Sequence, residues 1–238
     1  MRLTPVPAAL LVAAPVLAAC GSSSADHHVT TDTTVTQTVT AVKVVNGVGG
    51  ITVHAGTSSR ILVHRVVDYR SDTPPQPGQA IQDGTLVLTA NCSNCGITYD
   101  LTVPPSIGVT INDSVGTVSV DGLAGPITVT AASGHVQGTR LRAATVSVQA
   151  SAGAIDLSFS TMPTQVTARS RAGAISVEVP GAPYAIDATV NVGAVHINVA
   201  NDPTAPHRLA LTTNVGTITV NAALVAVAVV ASRSPDHR

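Results

Sequence analysis

A six-residue pattern recurs along this chain and limits what the chain can fold into. The pattern is a small residue or valine, a glycine, any residue, valine or isoleucine, any residue, and a second apolar residue. Its copies begin at Val48, Val115, Ser133, Ala152, Ala172, Val192 and Val215, and the copy at Ser133 is the weakest. From Gly116 onward the glycines recur every 18 to 23 residues. Self-similarity at this period is typical of stacked repeat architectures.

Aligning the copies on their glycines separates apolar from polar positions. The positions two and four residues after each glycine are apolar, with Gly138 as the single exception. Side chains two apart on a strand share one face, so both positions are predicted to point inward. The position between them is polar and is predicted to face water. It holds Thr52, Ser119, Gln137, Asp156, Ser176, His196 and Thr219. The glycine itself suits a corner that needs positive φ or a close backbone approach.

The sequence therefore predicts an all-β chain. Its core would be a right-handed parallel β-solenoid with rungs of about 20 residues, built from successive turns of the chain. Aromatic residues make up only 2% of the sequence, which favours a thin, regular, layered interior. The predicted organisation is a signal peptide (1–19), a flexible tether (20–33), a less regular N-terminal β region or cap (34–105), the solenoid repeats (106–222), and a C-terminal cap and tail (223–238). A hairpin is predicted from the strands at 51–53 and 61–67.

The N-terminus has the features of an export signal. Arg2 precedes an apolar stretch that is too short to span a membrane as a helix. The stretch ends Leu-Ala-Ala-Cys-Gly at residues 17–21, which resembles a bacterial lipobox. Cys20 is accordingly predicted to carry a lipid that anchors the chain on the extracytoplasmic side of the cell membrane. An ordinary signal peptide followed by a chance cysteine is the alternative.

The remaining cysteines, Cys92 and Cys95, form a close pair. In an exported chain such a pair predicts a local disulfide, with free thiols or a catalytic or metal-binding role as alternatives. A structural zinc site needs four ligands, and no second cysteine pair is present. We predict no metal and no cofactor.

One stretch resembles a known family. The run from Tyr99 to Ser106 contains Val103-Pro104-Pro105 and is followed by Val109 and the glycine repeats. Together these features resemble the bacterial putative-adhesin family of exported β-solenoids over roughly residues 40–220. The resemblance implies that fold and a role in adhesion. The aspartate common after the family's glycine is replaced here by Thr117, His135, Ala154, Ala174, Ala194 and Thr217. The less acidic corner weakens the case for a ladder of bound cations.

Charge and spacing argue against several functions. The formal net charge of −1 gives no electrostatic case for nucleic acid. Stacking in sequence order would place Asp156 and His196 two rungs apart, about 9.6 Å, which is too far for a hydrogen-bonded acid/base pair. The position of Asp187 relative to them is not fixed by the pattern. Arg169 and Arg171 would need support from neighbouring rungs to form a basic patch, and the sequence places no further cations there.

These features predict a non-catalytic, lipid-anchored binding or adhesion scaffold at the cell surface. Its partners would be the membrane, through Cys20, and an extracellular or envelope protein or polymer. The possible contact surface is Ser119, Asp156, Ser176, His196 and Thr219. The alternatives are an envelope-stress or regulatory accessory protein and a glycan-acting β-helix enzyme, which would need a cluster of carboxylates.

Overall fold

The computed structural model describes residues 27–90, 92 and 94–223. This part of the chain contains strands and no helix, which confirms the all-β prediction. The strands are β1 (His27–Val35), β2 (Ala41–Val48), β3 (Ile51–Ala55), β4 (Ile61–Tyr69), β5 (Gly78–Gln82), β6 (Thr85–Thr89), β7 (Cys95–Val103), β8 (Gly108–Val115), β9 (Val118–Asp121), β10 (Ile127–Ser133), β11 (Val136–Leu141), β12 (Thr145–Ala152), β13 (Ile155–Phe159), β14 (Gln165–Ala172), β15 (Ile175–Val179), β16 (Ala185–Asn198) and β17 (Arg208–Ala222). In the described residues, no helix has the length and apolar character needed to cross a membrane.

Most strands belong to two parallel ladders. The first ladder runs in the spatial order β6, β2, β8, β10, β12, β14, β17, β16. The second ladder runs in the order β7, β3, β9, β11, β13, β15, β17, β16. We call one strand of each ladder at the same level a layer. Strands β16 and β17 are long enough to run through both ladders, so each forms a layer by itself.

The order of the layers differs from the order of the sequence at both ends. The β2/β3 layer lies between the layers β6/β7 and β8/β9. At the other end β17 lies between the β14/β15 layer and β16. The prediction that successive turns stack on one another is therefore wrong at these two places. Every layer presents the same pattern of apolar side chains, so the pattern allows a strand to pair in parallel with the strand of any other layer. The connecting loop decides which of these layers the strand can reach.

Antiparallel strands adjoin the β6/β7 end of the ladders. Strand β7 pairs in parallel with β3 and antiparallel with β4, while β5 pairs antiparallel with β6. The predicted hairpin between residues 51–53 and 61–67 is wrong, because β3 and β4 lie on opposite edges of β7 and do not pair with each other.

The predicted tether is shorter than expected. Residues 27–33, assigned to it from their polar composition, belong to β1, which pairs antiparallel with β4 from His27↔Tyr69 to Val35↔Ile61. The stretch is rich in threonine and valine, and β-branched residues suit a strand even where most side chains are exposed. The signal peptide (1–19), Cys20, the rest of the tether and most of the predicted C-terminal cap lie outside the described residues.

The interior is built from the apolar columns. Two residues after glycine, Val118, Val136, Ile155 and Ile175 are at most 1% exposed. The equivalent Val195 is 38% exposed, because β16 is the last described layer and has a neighbour on only one side. The columns therefore bury their side chains wherever a layer is covered on both sides.

The exception at Gly138 has a packing explanation. A Cβ on Gly138 would meet the side chains of Leu141 and Leu157. Leu141 is 1% exposed, and the register of β11 against β13 shifts between Gly138 and Leu141. The leucine thus fills the interior space that the column position itself leaves free.

The glycine corners allow adjacent layers to approach closely. Gly134 and Gly153 have φ values of 138° and 127°, which side chains with a Cβ rarely adopt. A Cβ on Gly153 would overlap the carbonyl oxygen of Gly134, and a Cβ on Gly134 would overlap that of Gly116. The recurring glycine is thus required by both its backbone conformation and the space available.

Candidate contact surface

The polar column predicted from the repeat forms a continuous line across the second ladder. Backbone register places its members in the order Asp100, Thr52, Ser119, Gln137, Asp156, Ser176, Thr219, His196. Each strand turns the neighbouring apolar side chains inward, so the polar ones stand outward. All five residues of the predicted contact surface lie in this line, which we call the polar column.

Asp156 and His196 are further apart than the sequence order suggested. Ser176 and Thr219 lie between them, because β17 separates β15 from β16. At about 4.8 Å per strand the separation is about 14 Å, which excludes direct contact between the two side chains. Asp187 is also remote from Asp156, since it lies beside Ala210 in the first-ladder half of β16.

The partner of Asp156 is His135, which the column analysis did not single out. The His135 Nε2 atom lies 2.6 Å from Asp156 Oδ2. Their side chains are 42% and 44% exposed, so water screens the pair. His135 follows its glycine by one residue and therefore shares the outward face of the polar column. That alternation was available in the sequence, but the diagonal contact between adjacent layers was not.

A second polar group lies at the ends of the second-ladder strands. Thr139 Oγ1 donates to Asp121 Oδ1 at 2.6 Å, and the Arg140 guanidinium donates to the other carboxyl oxygen. Burial acts to raise the pKa of Asp121, but these hydrogen bonds and the nearby charges of Arg140 and His54 together lower it below its usual value. Asp121 is thus held ionised as an acceptor and structural anchor for the chain around Arg140.

A shallow depression of about 110 Å³ lies along the polar column. Asp156, Ser176 and Glu178 are among the residues that line it. Glu178 is a second carboxylate that the sequence analysis did not connect with Asp156, and it lies one layer away and two residues further along. A carboxyl group that acts as a general acid is kept protonated by apolar surroundings. The surroundings here are open and polar, which suits hydrogen bonding to a ligand better than proton transfer.

Cys92 and Cys95 lie apart from the polar column. Their sulfur atoms are joined in a disulfide, next to the start of β7. Within the part of the chain that the structure describes, no group of three or more His, Cys, Asp or Glu side chains is arranged to hold a metal ion.

Comparison with known proteins finds similarity only to solved structures. No protein-family model and no curated protein matches the chain. A putative cell adhesion protein from Clostridium sporogenes is 15% identical, with a TM-score of 0.49, and the match covers 83% of this chain and 100% of that one. A putative adhesin from Bacteroides fragilis is 18% identical, with a TM-score of 0.37 and coverage of 82% and 97%. A putative adhesin from Parabacteroides merdae is 13% identical, with a TM-score of 0.32 and coverage of 84% and 98%. With TM-scores below 0.5, these likenesses carry no argument about what this chain binds.

Proposed function

We propose that this chain is a lipid-anchored, right-handed β-solenoid that binds an extracellular or envelope partner through its side and performs no catalysis. The observation that carries the proposal is the polar column, in which outward polar side chains follow one another across the second ladder. An extended surface of this kind offers a partner many small contacts. A reaction centre would instead concentrate a few groups in an enclosed cleft.

The polar column is pre-positioned by the interior beneath it. Ser176 lies between Ile175 and Val177, which are both fully buried. Its strand is also hydrogen-bonded to a neighbouring strand on each side. Binding of a partner to such a surface costs little conformational entropy, since the backbone is already fixed.

The surroundings of Asp156 favour binding over catalysis. Its carboxyl group is about half exposed and is hydrogen-bonded to His135. A glycan-cleaving pair needs one carboxyl group that keeps its proton and a second that stays ionised, which requires two different environments. Asp156 and Glu178 line the same open depression, so their environments are similar.

The proposed anchor gives the scaffold an orientation. Strand β1 begins at His27, only a few residues after Cys20. A lipid on Cys20 would hold the β1 end of the molecule close to the membrane, and the ladders would extend away from it. The polar column would then be accessible to partners in the envelope or outside the cell.

The anchor is tested by metabolic labelling with an alkyne-tagged fatty acid in a bacterial host. We expect label in the wild-type chain and none in the Cys20→Ala variant. A Cys92→Ala/Cys95→Ala variant is the control and should keep the label. Equal labelling of wild type and Cys20→Ala would contradict the anchor without bearing on the polar column.

The binding role is tested by photocrosslinking in intact cells. A photoreactive amino acid at Ser176 or Thr219 should capture a partner, whereas the same amino acid at the exposed Gln82, on β5, should not. Capture of a transmembrane regulator would favour the regulatory alternative. Glycan cleavage that is lost in an Asp156→Asn/Glu178→Gln variant would favour an enzyme. Identical products from all three positions would refute the polar column as the contact surface.

A further inference from the structure

A pair of unpaired arginines lies on the face of the first ladder, away from the polar column. Arg169 and Arg171 are two residues apart on β14, and both side chains are exposed. Residues two apart on a strand point the same way at a spacing of about 6.6 Å. Among the described residues, neither guanidinium has an ion-pair partner within 4.0 Å. Two free cations of the same orientation thus occupy one strand.

The structure places these arginines in a groove of about 380 Å³. The other polar side chains of the lining are hydroxyls and amides, with no carboxylate among the described lining residues. They are Thr130, Gln149, Ser151, Ser170, Thr212 and Asn214, and Ala131 and Ala150 complete the lining. Within the groove the neighbouring layers add no positive charge, but they do add neutral hydrogen-bonding groups. Arg208, which the sequence analysis missed, lies on the adjacent strand β17 beside Gln165, outside the groove lining. The site is therefore a small cationic centre within a neutral polar strip.

Backbone register fixes the arrangement of this strip. Gln149 lies beside Arg169 on one side and Thr212 lies beside it on the other. Such neighbours follow one another at about 4.8 Å along the ladder. A polymer lying across the strands of the first ladder would meet a hydrogen-bonding side chain in each layer that lines the groove. The arginines would lie near the middle of this contact.

The charges nearby favour an anion at this position. The closest carboxylate by register on this face is Asp187, which is separated from the β14 layer by β17 and does not line the groove. The whole chain has a formal net charge of −1, so the arginines are a local feature and not part of a generally basic surface. An acidic ligand would therefore gain electrostatic attraction by binding at the two arginines.

We propose that this groove binds a carboxylated polysaccharide. Arg169 and Arg171 would each receive a sugar carboxylate, because the planar guanidinium matches a carboxylate with two parallel hydrogen bonds. Gln149, Thr212 and Asn214 would hydrogen-bond the sugar hydroxyls. The groove is open, shallow and polar, so it suits a hydrophilic polymer better than a small apolar ligand, which needs enclosure. This site goes beyond the proposed contact surface, because it lies on the other ladder and does not use the polar column.

The test measures binding of the full-length protein, in detergent micelles, to immobilised polygalacturonate. We expect wild type to bind, and an Arg169→Gln/Arg171→Gln variant to bind at least about tenfold more weakly, since two charge-assisted contacts are lost. A Lys43→Gln/Arg60→Gln variant removes the same charge from exposed positions away from the groove and should bind like wild type. An Arg169→Lys/Arg171→Lys variant should be intermediate, because lysine keeps the charge and loses the paired hydrogen bonds.

Two further ligands show whether binding depends on the sugar rings, on negative charge, or on both. Fully methyl-esterified polygalacturonate keeps the sugar rings and lacks the charge, so it should bind wild type weakly. Inorganic polyphosphate carries charge without sugars and should also bind more weakly than polygalacturonate. Equal binding of the esterified polymer, equal or tighter binding of polyphosphate, or equal loss in the Lys43/Arg60 variant would overturn the proposal. Circular dichroism should show the same fold for all variants. Capture at Ser176 is independent of these results, so the two proposals can fail separately.

Discussion

Asn46 on β2 lies directly beside Asp113 on β8, and both polar side chains are buried in a mainly apolar interior. They are 4% and 5% exposed. The Asn46 amide nitrogen donates to the carbonyl oxygens of Gly49 and Ile97 at 3.3 and 3.1 Å. Asn46 Oδ1 and both Asp113 carboxyl oxygens have no hydrogen-bond partner among the described atoms. A protonated Asp113 could donate to Asn46 Oδ1. An ionised one would be a buried charge that the nearby Asn46 side chain and Ser114 backbone offset only in part.

This pair predicts that stability falls as the pH rises from about 4 to 6. Burial raises the pKa of Asp113 from 3.8 to about 6 in the folded chain, although the Asn46 side chain and the Ser114 backbone act to lower it. Between these values the folded state holds a proton that the unfolded state has lost, so unfolding becomes easier as pH increases. Below about pH 4 both states are protonated, and above about pH 6 both are ionised. The loss across the window should be on the order of 2–3 kcal/mol.

Urea denaturation of wild type and Asp113→Asn at several pH values isolates this effect. The asparagine variant cannot ionise, so the difference in unfolding free energy between the two proteins should change across the window and stay flat above it. On the other side of Asp113 the in-register neighbour is Ala131, which does not titrate. A difference that stays constant from pH 4 to 7 would show that Asp113 has an ordinary pKa.

The glycine corner predicts an unequal effect of two valine substitutions in the same layer. Gly173 has φ of 152°, and a Cβ there would overlap the carbonyl oxygen of Gly153. Gly173→Val should therefore cost about 3 kcal/mol or more of unfolding free energy. Ser176→Val places a β-branched side chain on the outward face of a strand and should change stability by less than about 1 kcal/mol. Chemical denaturation midpoints compare the two, and equal losses would refute the role of the corner.

The alternation of the repeat was enough to predict the burial of individual side chains. Val118, Ile155 and Ile175 are buried as their positions after glycine required, and Ser119 and Ser176 stand outward. This works because strand geometry fixes the side on which each residue lies, whatever its neighbours are. The exposure of Val195 could not be predicted in the same way, because it depends on β16 having no described layer beyond it.

The order of the layers could not be read from the repeat. The units of β16 and β17 are similar in sequence, so the pattern does not tell which of the two pairs with β15. The connecting loops decide this, and their course depends on contacts distant in sequence. The same limitation affected the candidate site, where the spacing of Asp156 and His196 was underestimated by one layer and the contact of Asp156 with His135 was missed.

The same valine-to-alanine substitution should cost less stability at the β16 end of the ladders than in the middle. Val118 and Val195 occupy the same position after glycine, but Val118 is fully buried and Val195 is 38% exposed. Val118→Ala should cost about 2 kcal/mol, from lost burial and the cavity left behind. Val195→Ala should cost less than about 1 kcal/mol, since its side chain already meets water. Thermal and urea unfolding of both variants provide the comparison, and a larger loss at Val195 would mean that another segment or molecule covers β16.

The contact between His135 and Asp156 predicts a small, salt-sensitive coupling. The two atoms are 2.6 Å apart, but each side chain is more than 40% exposed. At a pH where His135 is protonated, a double-mutant cycle with His135→Ala and Asp156→Ala should give about 0.2–1 kcal/mol, the range of exposed ion pairs. The value is small because solvent screens the charges and ordering both side chains costs entropy. In about 1 M salt the coupling should fall further.

The pair formed by His54 and Asp100 is the matched control for that cycle. It is also a histidine–aspartate contact between adjacent layers, but its atoms are 3.6 Å apart and its side chains are 45% and 51% exposed. Its coupling should be weaker than that of His135 and Asp156, since the longer distance rules out a good hydrogen bond. A coupling of His135 with Asp156 that exceeds about 2 kcal/mol, or that persists unchanged in high salt, would mean that the pair is shielded from water and that another group covers the polar column there.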